Sequence, residues 1–229
     1  MSEFSVPLGR PVAPPGATAP DGRSLSGQYC NLEKLVAQTH GDALWQCADD
    51  EPIDRWAYLG EVGPFATRAE FTAQLEWCEA SADPYFYAIL VEGQAQGWAS
   101  LMRHDISNAV IETGYIWLSE KMARSRASTE AMYLLMRHAF EDLSMRRYEW
   151  KCNALNAPSR VAAERLGFTV EGIFRQHQIT RGLNRDTAWY AILDHEWPRA
   201  KAAFEAWLAP DNFDAAGQQK LGLTALRQR

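Results

Sequence analysis

The sequence predicts an α/β fold of the α+β kind, in which one mixed sheet is covered by helices. Three features support this prediction: three successive strand-like segments, a helix between two further strand-like segments, and a closing hairpin followed by a helix. The first three strands are expected to form an antiparallel meander. The crossover helix is expected to bring two strands together in parallel, and such a pair can separate along its length.

Composition limits the class of protein. The chain has 229 residues, of which 47% are hydrophobic and 23% charged, and this is typical of one globular domain. A formal net charge of -6 argues against nucleic-acid binding, which needs a broad basic surface. No segment has the length and apolar character of a membrane span or a signal peptide, so we expect a cytoplasmic location and no membrane partner. The four cysteines lack metal or redox spacing, and no metal site is predicted.

Both ends of the chain are predicted to lie outside the folded domain. Residues 1–26 contain five of the eleven prolines, among Gly, Ala and Ser, and are expected to form a flexible arm. Residues 210–229 are expected to form a loose tail. The domain is therefore predicted to span residues 27–209.

Three elements are predicted before the meander. Residues 28–35 are predicted to form a first strand, and residues 40–45 the start of a short helix or turn. A helix is then predicted to begin after Thr67, an N-cap residue with Glu70 three positions later. Its apolar stripe has helical spacing and consists of Phe71, Leu75 and Cys78.

The meander and the crossover follow. Strands are predicted at residues 85–91, 95–102 and 110–118, separated by polar breaks. The apolar spacing over residues 129–143 predicts an amphipathic helix, and residues 147–152 alternate as a half-buried strand does.

The last elements are a short helix, a hairpin and a longer helix. The short helix is predicted over residues 158–166, ended by Gly167 in a left-handed conformation. Strands at residues 168–179 and 186–193 are predicted to be joined by a turn at residues 181–184. The final helix carries one apolar face, made of Trp197, Ala200, Phe204, Trp207 and Leu208.

One group of motifs is specific. The segments NAPS, AERLGF and EG, at residues 156–159, 163–168 and 171–172, match the signature N-x-x-S…E-[KR]-L-G-F-x-x-E-G. On these motifs the chain resembles the RimJ/RimL branch of the GCN5-related N-acetyltransferase (GNAT) superfamily, over roughly residues 28–208. The resemblance implies the GNAT acyl-CoA N-acyltransferase fold, in which splayed central parallel strands admit the pantetheine arm of acetyl-CoA.

The resemblance also implies a cofactor site. In the family, the residue at the Asn156 position hydrogen-bonds the cofactor arm, and the one at the Ser159 position lies near the thiol; both residues also suit helix capping, which remains an alternative. The loop at residues 123–128 lacks the family's glycine, which would lie at Arg126. The predicted acetyl-CoA contacts are Leu118, Ser119, Arg124, Ser125, Arg126, Ala127, Ser128, Thr129, Asn156 and Ser159.

Two interpretations of the loop arginines remain open. Arg124 and Arg126 are able to supply charge-assisted contacts to a pyrophosphate beside a helix N-terminus, in place of a glycine loop. Alternatively, both are solvated surface side chains.

Catalysis needs a group that removes a proton from the acceptor amine. Glu112 interrupts an apolar strand at a position where family members place an acid, so it is predicted to be the general base. The alternative is a Glu that faces solvent or pairs with Arg103. The tyrosine acid of many relatives is replaced by Ala163, so Ser159 is predicted to assist the thiolate. Oxyanion donors are expected from backbone N–H groups of a bulge near Leu118 and Ser119.

The function implied is transfer of an acetyl group from acetyl-CoA to a primary amine, by direct attack in a ternary complex. The acceptor is a protein N-terminus or a small-molecule amine, and a homodimer is possible through the aromatic C-terminal elements. A non-catalytic acyl-CoA-binding or protein-interaction module on the same fold is the alternative. An aromatic cleft wall is expected from Tyr115, Trp117, Trp150, Trp189 and Tyr190, although such residues more often form core.

Overall fold

The computed structural model describes residues 9–13, 16–49 and 51–228. Its eight strands form one sheet in the order β1-β2-β3-β4-β5-β6-β8-β7, and every neighbouring pair is antiparallel except β5 and β6. The strands are β1 (Leu25–Ser26), β2 (Asn31–Lys34), β3 (Tyr85–Val91), β4 (Gln94–Asp105), β5 (Val110–Leu118), β6 (Arg147–Asn153), β7 (Thr169–Thr180) and β8 (Leu183–Leu193). The predicted mixed sheet is thus confirmed.

Helices cover both faces of this sheet. They are α1 (Ala37–Ala48), α2 (Arg68–Ala80), α3 (Arg126–Arg137), α4 (Ala157–Leu166), α5 (Trp197–Leu208) and α6 (Leu223–Arg227). One core packs α3, α4 and α5 on the sheet, and a second core packs α1 and α2 on the opposite face. No helix among the described residues is long and apolar enough to cross a membrane.

Capping residues in the sequence correctly predicted several helix ends. Thr67 caps α2 by accepting the Glu70 backbone N–H at 3.2 Å, and Gly167 ends α4 with a φ of 110°. The helix predicted over residues 129–143 begins three residues earlier and continues from α3 into a π-helical turn, His138–Asp142.

The predicted four-residue hairpin turn was wrong. Strand β8 begins at Leu183, so only Arg181 and Gly182 connect β7 to β8, with φ of 50° and 73°. Two successive residues with positive φ match the twist of a two-residue hairpin, and this geometry lets pairing continue to the end of both strands.

The tail is not loose in the structure. Leu223 of α6 is 2% exposed and belongs to the core shared with α5. Arg227 donates to the carbonyls of Arg165 and Glu164 at the end of α4. Apolar residues are sparse in this segment, so sequence periodicity did not reveal it, but polar contacts to α4 and buried Leu223 fix it in place.

The predicted arm is also partly incorporated into the fold. Leu25 of β1 is 4% exposed because β1 pairs with β2, and the Thr18 N–H donates to the Leu143 carbonyl at 3.1 Å. The Pro-rich composition concealed this short strand. Residues 1–8, 14 and 15 of the predicted arm lie outside the described residues.

Glu130 fastens α3 to the turn between β1 and β2. Its carboxylate accepts the backbone N–H groups of Gln28, Tyr29 and Cys30 at 2.6–2.8 Å. Because the side chain is 4% exposed, these bonds replace its hydration. A Cβ at Gly27 would lie 2.4 Å from this carboxylate, so the turn requires glycine there.

Candidate active site

Strands β5 and β6 pair over four registers only. Pairing runs from Val110 opposite Arg147 to Thr113 opposite Trp150, and the later residues of the two strands have no partner across this pair. The parallel strands therefore separate after Thr113 and Trp150, as predicted, and leave a slot between them.

A β-bulge lies on β5 beside this slot. Trp117 pairs with Trp98 and Gly114 with Ser100, so Tyr115 and Ile116 oppose the single residue Ala99. Tyr115 has a φ of 47°. The bulge was predicted closer to Leu118 and Ser119, at the strand end.

Backbone groups at the end of β5 already form hydrogen bonds within the protein. The Ser119 N–H donates to the Gln96 carbonyl at 2.9 Å, so this group is not a free oxyanion donor. The Leu118 carbonyl accepts a hydrogen bond from Arg55. Antiparallel pairing with β4 extends to the end of β5 and explains why the bulge occurs earlier.

A cavity of about 740 Å³ adjoins the slot. Gly114 and Lys151, the first unpaired residues of β5 and β6, both line it, so the slot opens into the cavity. Its other walls come from the connection between α1 and α2 and from the β7–β8 hairpin. The lining residues able to carry or exchange charge include Glu61, Arg103, Glu112, Lys151, His177 and Arg185.

Glu112 lies in this cavity and is only 4% exposed. Its Oε2 is 2.8 Å from Lys151 Nζ and 3.4 Å from Arg103 Nε. Burial raises the pKa of the Glu112 carboxyl, and the two cations oppose that rise. The predicted pairing with Arg103 is thus present together with the cavity position, whereas the solvent-facing alternative was wrong.

The Lys151 ammonium joins two carboxylates. Besides Glu112 it contacts Glu149 Oε2 at 2.6 Å, and Glu149 also accepts from Arg147 Nε at 2.6 Å. Arg147 in turn pairs with Glu171. The alternation over residues 147–152 indicated that Arg147, Glu149 and Lys151 share one charged side of β6, but gave no role to Lys151.

Asn156 has the capping role that was left open, whereas the Ser159 side chain does not cap the helix. Asn156 Oδ1 accepts the Ser159 backbone N–H at 3.1 Å and caps α4, while Ser159 Oγ accepts from Trp150 Nε1 at 3.0 Å. Within the described part of the chain, Asn156 Nδ2 donates to no other group. Their contacts with a cofactor therefore stay predictions.

Ser125 caps α3, and the neighbouring arginines differ from each other. Ser125 Oγ accepts the Ser128 backbone N–H at 3.1 Å. Arg124 is exposed and has a φ of 62°. The Arg126 guanidinium lies 4.2 Å from the ring centre of Phe213. The solvated interpretation is therefore wrong for Arg126, because its side chain packs on the C-terminal segment.

The first turn of α3 is also joined to α4. Thr129 Oγ1 accepts a hydrogen bond from Arg165, the arginine of the AERLGF segment, at 3.1 Å. Ala127, Ser128 and Thr129 are buried, whereas the backbone N–H groups of Arg126 and Ala127 have no acceptor among the described residues. These two N–H groups remain available at the helix N-terminus.

The predicted aromatic wall is mostly core. Trp117, Trp150 and Tyr190 are buried, and of the five residues only Tyr115 lines the cavity. Trp189 lies beneath Lys151, whose Nζ is 3.9 Å from the ring centre. All four cysteines are free, and no group of metal-binding side chains occurs among the described residues.

Comparison with known proteins agrees with this geometry. The Acetyltransferase (GNAT) domain profile matches residues 31–169. A crystal structure of a GCN5-related N-acetyltransferase from Brucella melitensis superposes with a TM-score of 0.91 at 46% identity, covering 93% of this chain and 98% of that one.

Two curated relatives carry names that refer to ribosomal proteins. YdaF of Bacillus subtilis (strain 168), provisionally named a ribosomal N-acetyltransferase, is 28% identical over 74% of this chain and 92% of its own length. The ribosomal-protein-serine acetyltransferase of Escherichia coli (strain K12) is 30% identical over 48% of this chain and 62% of its own length.

Proposed function

The chain belongs to the GNAT acetyltransferase family, in its RimJ/RimL-like branch, and is thus an acetyl-CoA-dependent acyltransferase; from this premise we propose that it acetylates a primary amine by direct attack in a ternary complex. The acceptor amine enters the cavity between the α1–α2 connection and the β7–β8 hairpin. The thioester lies in the slot between β5 and β6, so the two substrates meet where the strands separate.

One observation carries this proposal. Glu112 lies one register before the point where β5 and β6 separate, and it lines the same cavity as Gly114 and Lys151, the first residues beyond that point. A carboxylate at this position is close to both the slot and the acceptor cavity. This is the placement that a proton acceptor for the attacking amine requires.

The chemistry requires removal of a proton from the amine, one acyl transfer and protonation of the thiolate. The amine nitrogen forms a bond to the acetyl carbonyl carbon, and the bond from that carbon to sulfur breaks. The coenzyme A thiolate then takes a proton from solvent and leaves as a thiol. Glu112 takes the proton of the amine directly or through water. Burial of Glu112 raises its pKa and makes it a stronger base, while Lys151 and Arg103 fix the carboxylate in position.

The cofactor is proposed to contact the α3 and α4 termini. The N–H groups of Arg126 and Ala127 and the positive end of the α3 dipole suit the pyrophosphate. Arg124 adds an exposed positive charge, and Asn156 Nδ2 is a free donor for the pantetheine arm. Ser159 is proposed to lie near the sulfur. The remaining proposed contacts are Leu118, Ser119, Ser125, Ser128 and Thr129.

The names of the curated relatives favour a protein acceptor. We therefore place a peptide N-terminus ahead of a small-molecule amine. A homodimer is a further proposal, supported by apolar side chains exposed on edge strand β7: Ile173, Phe174 and Ile179 are 47%, 51% and 84% exposed.

The test combines binding with turnover. Coenzyme A should raise the unfolding temperature in a concentration-dependent way, and acetyl-CoA with a panel of amines and peptides should release free thiol. Glu112→Gln should lower turnover by roughly 100-fold or more with little change in coenzyme A affinity. Glu76→Gln, which removes an exposed carboxylate of α2, is the matched control.

Two results would contradict this proposal. Binding of coenzyme A without thiol release from any acceptor would favour a non-catalytic acyl-CoA-binding module. Unchanged turnover in Glu112→Gln would remove this residue from the mechanism.

A further inference from the structure

Arg185 is a guanidinium without an ion-pair partner in the described residues. It lies on β8 and lines the cavity, its side chain is half-buried, and its Nε is buried without a hydrogen-bond acceptor. Burial lowers the pKa of Arg185, but a guanidinium stays protonated at neutral pH. Partial burial of an unpaired positive charge carries a desolvation cost, which an anionic ligand at this site would offset.

The neighbouring charges already balance one another. The chain of contacts described above contains three cations and three carboxylates, which are Arg103, Lys151, Arg147, Glu112, Glu149 and Glu171. Its net charge is zero when all six are ionised. Arg185 takes no part in this network, so these carboxylates do not neutralise its positive charge.

Other cavity residues do not neutralise Arg185. Glu61 is exposed, and its Oε1 accepts the Arg181 backbone N–H at 3.0 Å. His177 donates to or accepts from Thr187 Oγ1 at 3.0 Å. Burial and the nearby Arg103 and Arg185 lower the pKa of His177, which keeps this ring neutral at neutral pH and adds no negative charge.

The position of Arg185 separates it from the proposed cofactor contacts. It pairs with Gln178 in the outer half of the hairpin. Thr187, two residues later, pairs with Asn153, the last residue of β6. The cavity lies on the α1 and α2 side of the sheet, whereas α3 and α4 pack on the opposite side. An anion at Arg185 would accordingly belong to the acceptor rather than to the pyrophosphate.

We propose that Arg185 binds a carboxylate of the acceptor, so that preferred acceptors carry an anionic group as well as the primary amine. This inference rests on the proposed acetyl transfer. The carboxylate belongs either to a free amino acid or to an acidic side chain next to a peptide N-terminus. A guanidinium binds a carboxylate through two parallel hydrogen bonds, which would also orient the amine towards Glu112. Polyamines should be poor acceptors, because they add positive charge next to Arg185.

Isothermal titration of the coenzyme A-loaded protein tests this in two arms. One arm compares a peptide that begins Ser-Asp with one that begins Ser-Asn, and the other compares serine with serinamide. We expect the carboxylate member of at least one pair to bind roughly tenfold more tightly or better, and that arm identifies the source of the carboxylate. Arg185→Gln should abolish the preference, and Arg185→Lys should retain part of it.

Arg175→Gln is the matched control, because Arg175 is an exposed arginine of the same hairpin outside the cavity lining. This variant should keep the preference. Equal affinities in both arms, no measurable binding in both arms, or a preference that survives Arg185→Gln would overturn the proposal. Thiol release is measured separately. Equal acetylation of both members of each pair would support the proposed acetyl transfer and contradict the role of Arg185.

Discussion

The Lys151 ammonium lies 2.8 Å from the Glu112 carboxylate across the only parallel strand pair in the described sheet. Lys151 is the first residue of β6 beyond the paired registers, and Glu112 is the second-to-last paired residue of β5. The ion pair therefore spans the point where the strands separate. It holds the proposed base at the mouth of the slot.

Lys151→Met should destabilise the protein by about 3 kcal/mol at pH 7, because the buried carboxylates of Glu112 and Glu149 would lose their shared cation. Burial already raises the pKa of Glu112, and loss of the Lys151 cation should raise it further. A carboxyl with a raised pKa binds its proton more tightly when folded than when unfolded, so lower pH favours the folded state. The difference in stability between Lys151→Met and the wild type should thus shrink as the pH falls from 7 to 5.

Urea unfolding of both proteins at the two pH values measures this effect. Lys201→Met is the control, since Lys201 pairs with Glu141 at the surface. A difference in stability that is equal at both pH values would show that lost packing, rather than charge, explains it.

Asn156→Ser should separate helix capping from cofactor binding. The serine hydroxyl can still cap α4 but lacks the Nδ2 donor. We expect stability close to wild type and coenzyme A affinity reduced roughly fivefold to tenfold, as expected for loss of one hydrogen bond. Asn156→Ala should lose both the cap of α4 and the Nδ2 donor, and its free energy of unfolding should fall by about 1 kcal/mol. Thermal unfolding and calorimetric titration provide the two readouts, and unchanged affinity in Asn156→Ser would assign Asn156 to capping alone.

Arg124→Gly should bind coenzyme A more weakly without loss of stability. Glycine adopts the positive φ of this position without steric cost, so the unfolding temperature should stay the same or rise. Loss of a charge-assisted contact should lower affinity roughly tenfold, with a weaker salt dependence. Arg124→Lys keeps the charge and should stay close to wild type. Equal affinity of the Gly and Lys variants would exclude a role for charge.

Glu130→Ala should cost about 3 kcal/mol, because three buried backbone N–H groups would lose their acceptor. Glu130→Gln should cost less, since its amide oxygen can still accept from Tyr29 and Cys30. Chemical denaturation measures both variants. If Gln and Ala were equally destabilising, the hydrogen bonds to the amide oxygen would not explain the stability.

Elements with local signals were predicted well from the sequence. Residues 85–91 and 110–118 are strands with the predicted bounds, because each is a mostly apolar segment next to polar turn residues. The cap at Thr67 and the left-handed Gly167 depend on neighbouring residues alone. The resemblance to the GNAT superfamily then implied that the splayed central strands admit a cofactor, which local patterns do not contain.

Non-local contacts account for what was missed. Nothing in the spacing of Glu112 and Lys151 reveals that a parallel crossover brings them within 2.8 Å of each other. The packing of Phe213 on Arg126 likewise joins segments far apart in the chain, so the C-terminal segment looked unstructured. Arg185 had no local pattern at all, because its significance arises from the charges that surround it in three dimensions.

The four-register connection between β5 and β6 has a mechanical consequence. Within the described residues it is the sole strand-to-strand link between the first five strands and the last three. The two parts of the sheet are thus joined by four residue pairs, and we expect small rotations about this junction to change the width of the slot. A thioester lodged there would bridge both parts, so occupancy should damp their relative rocking and slow amide hydrogen exchange along the junction.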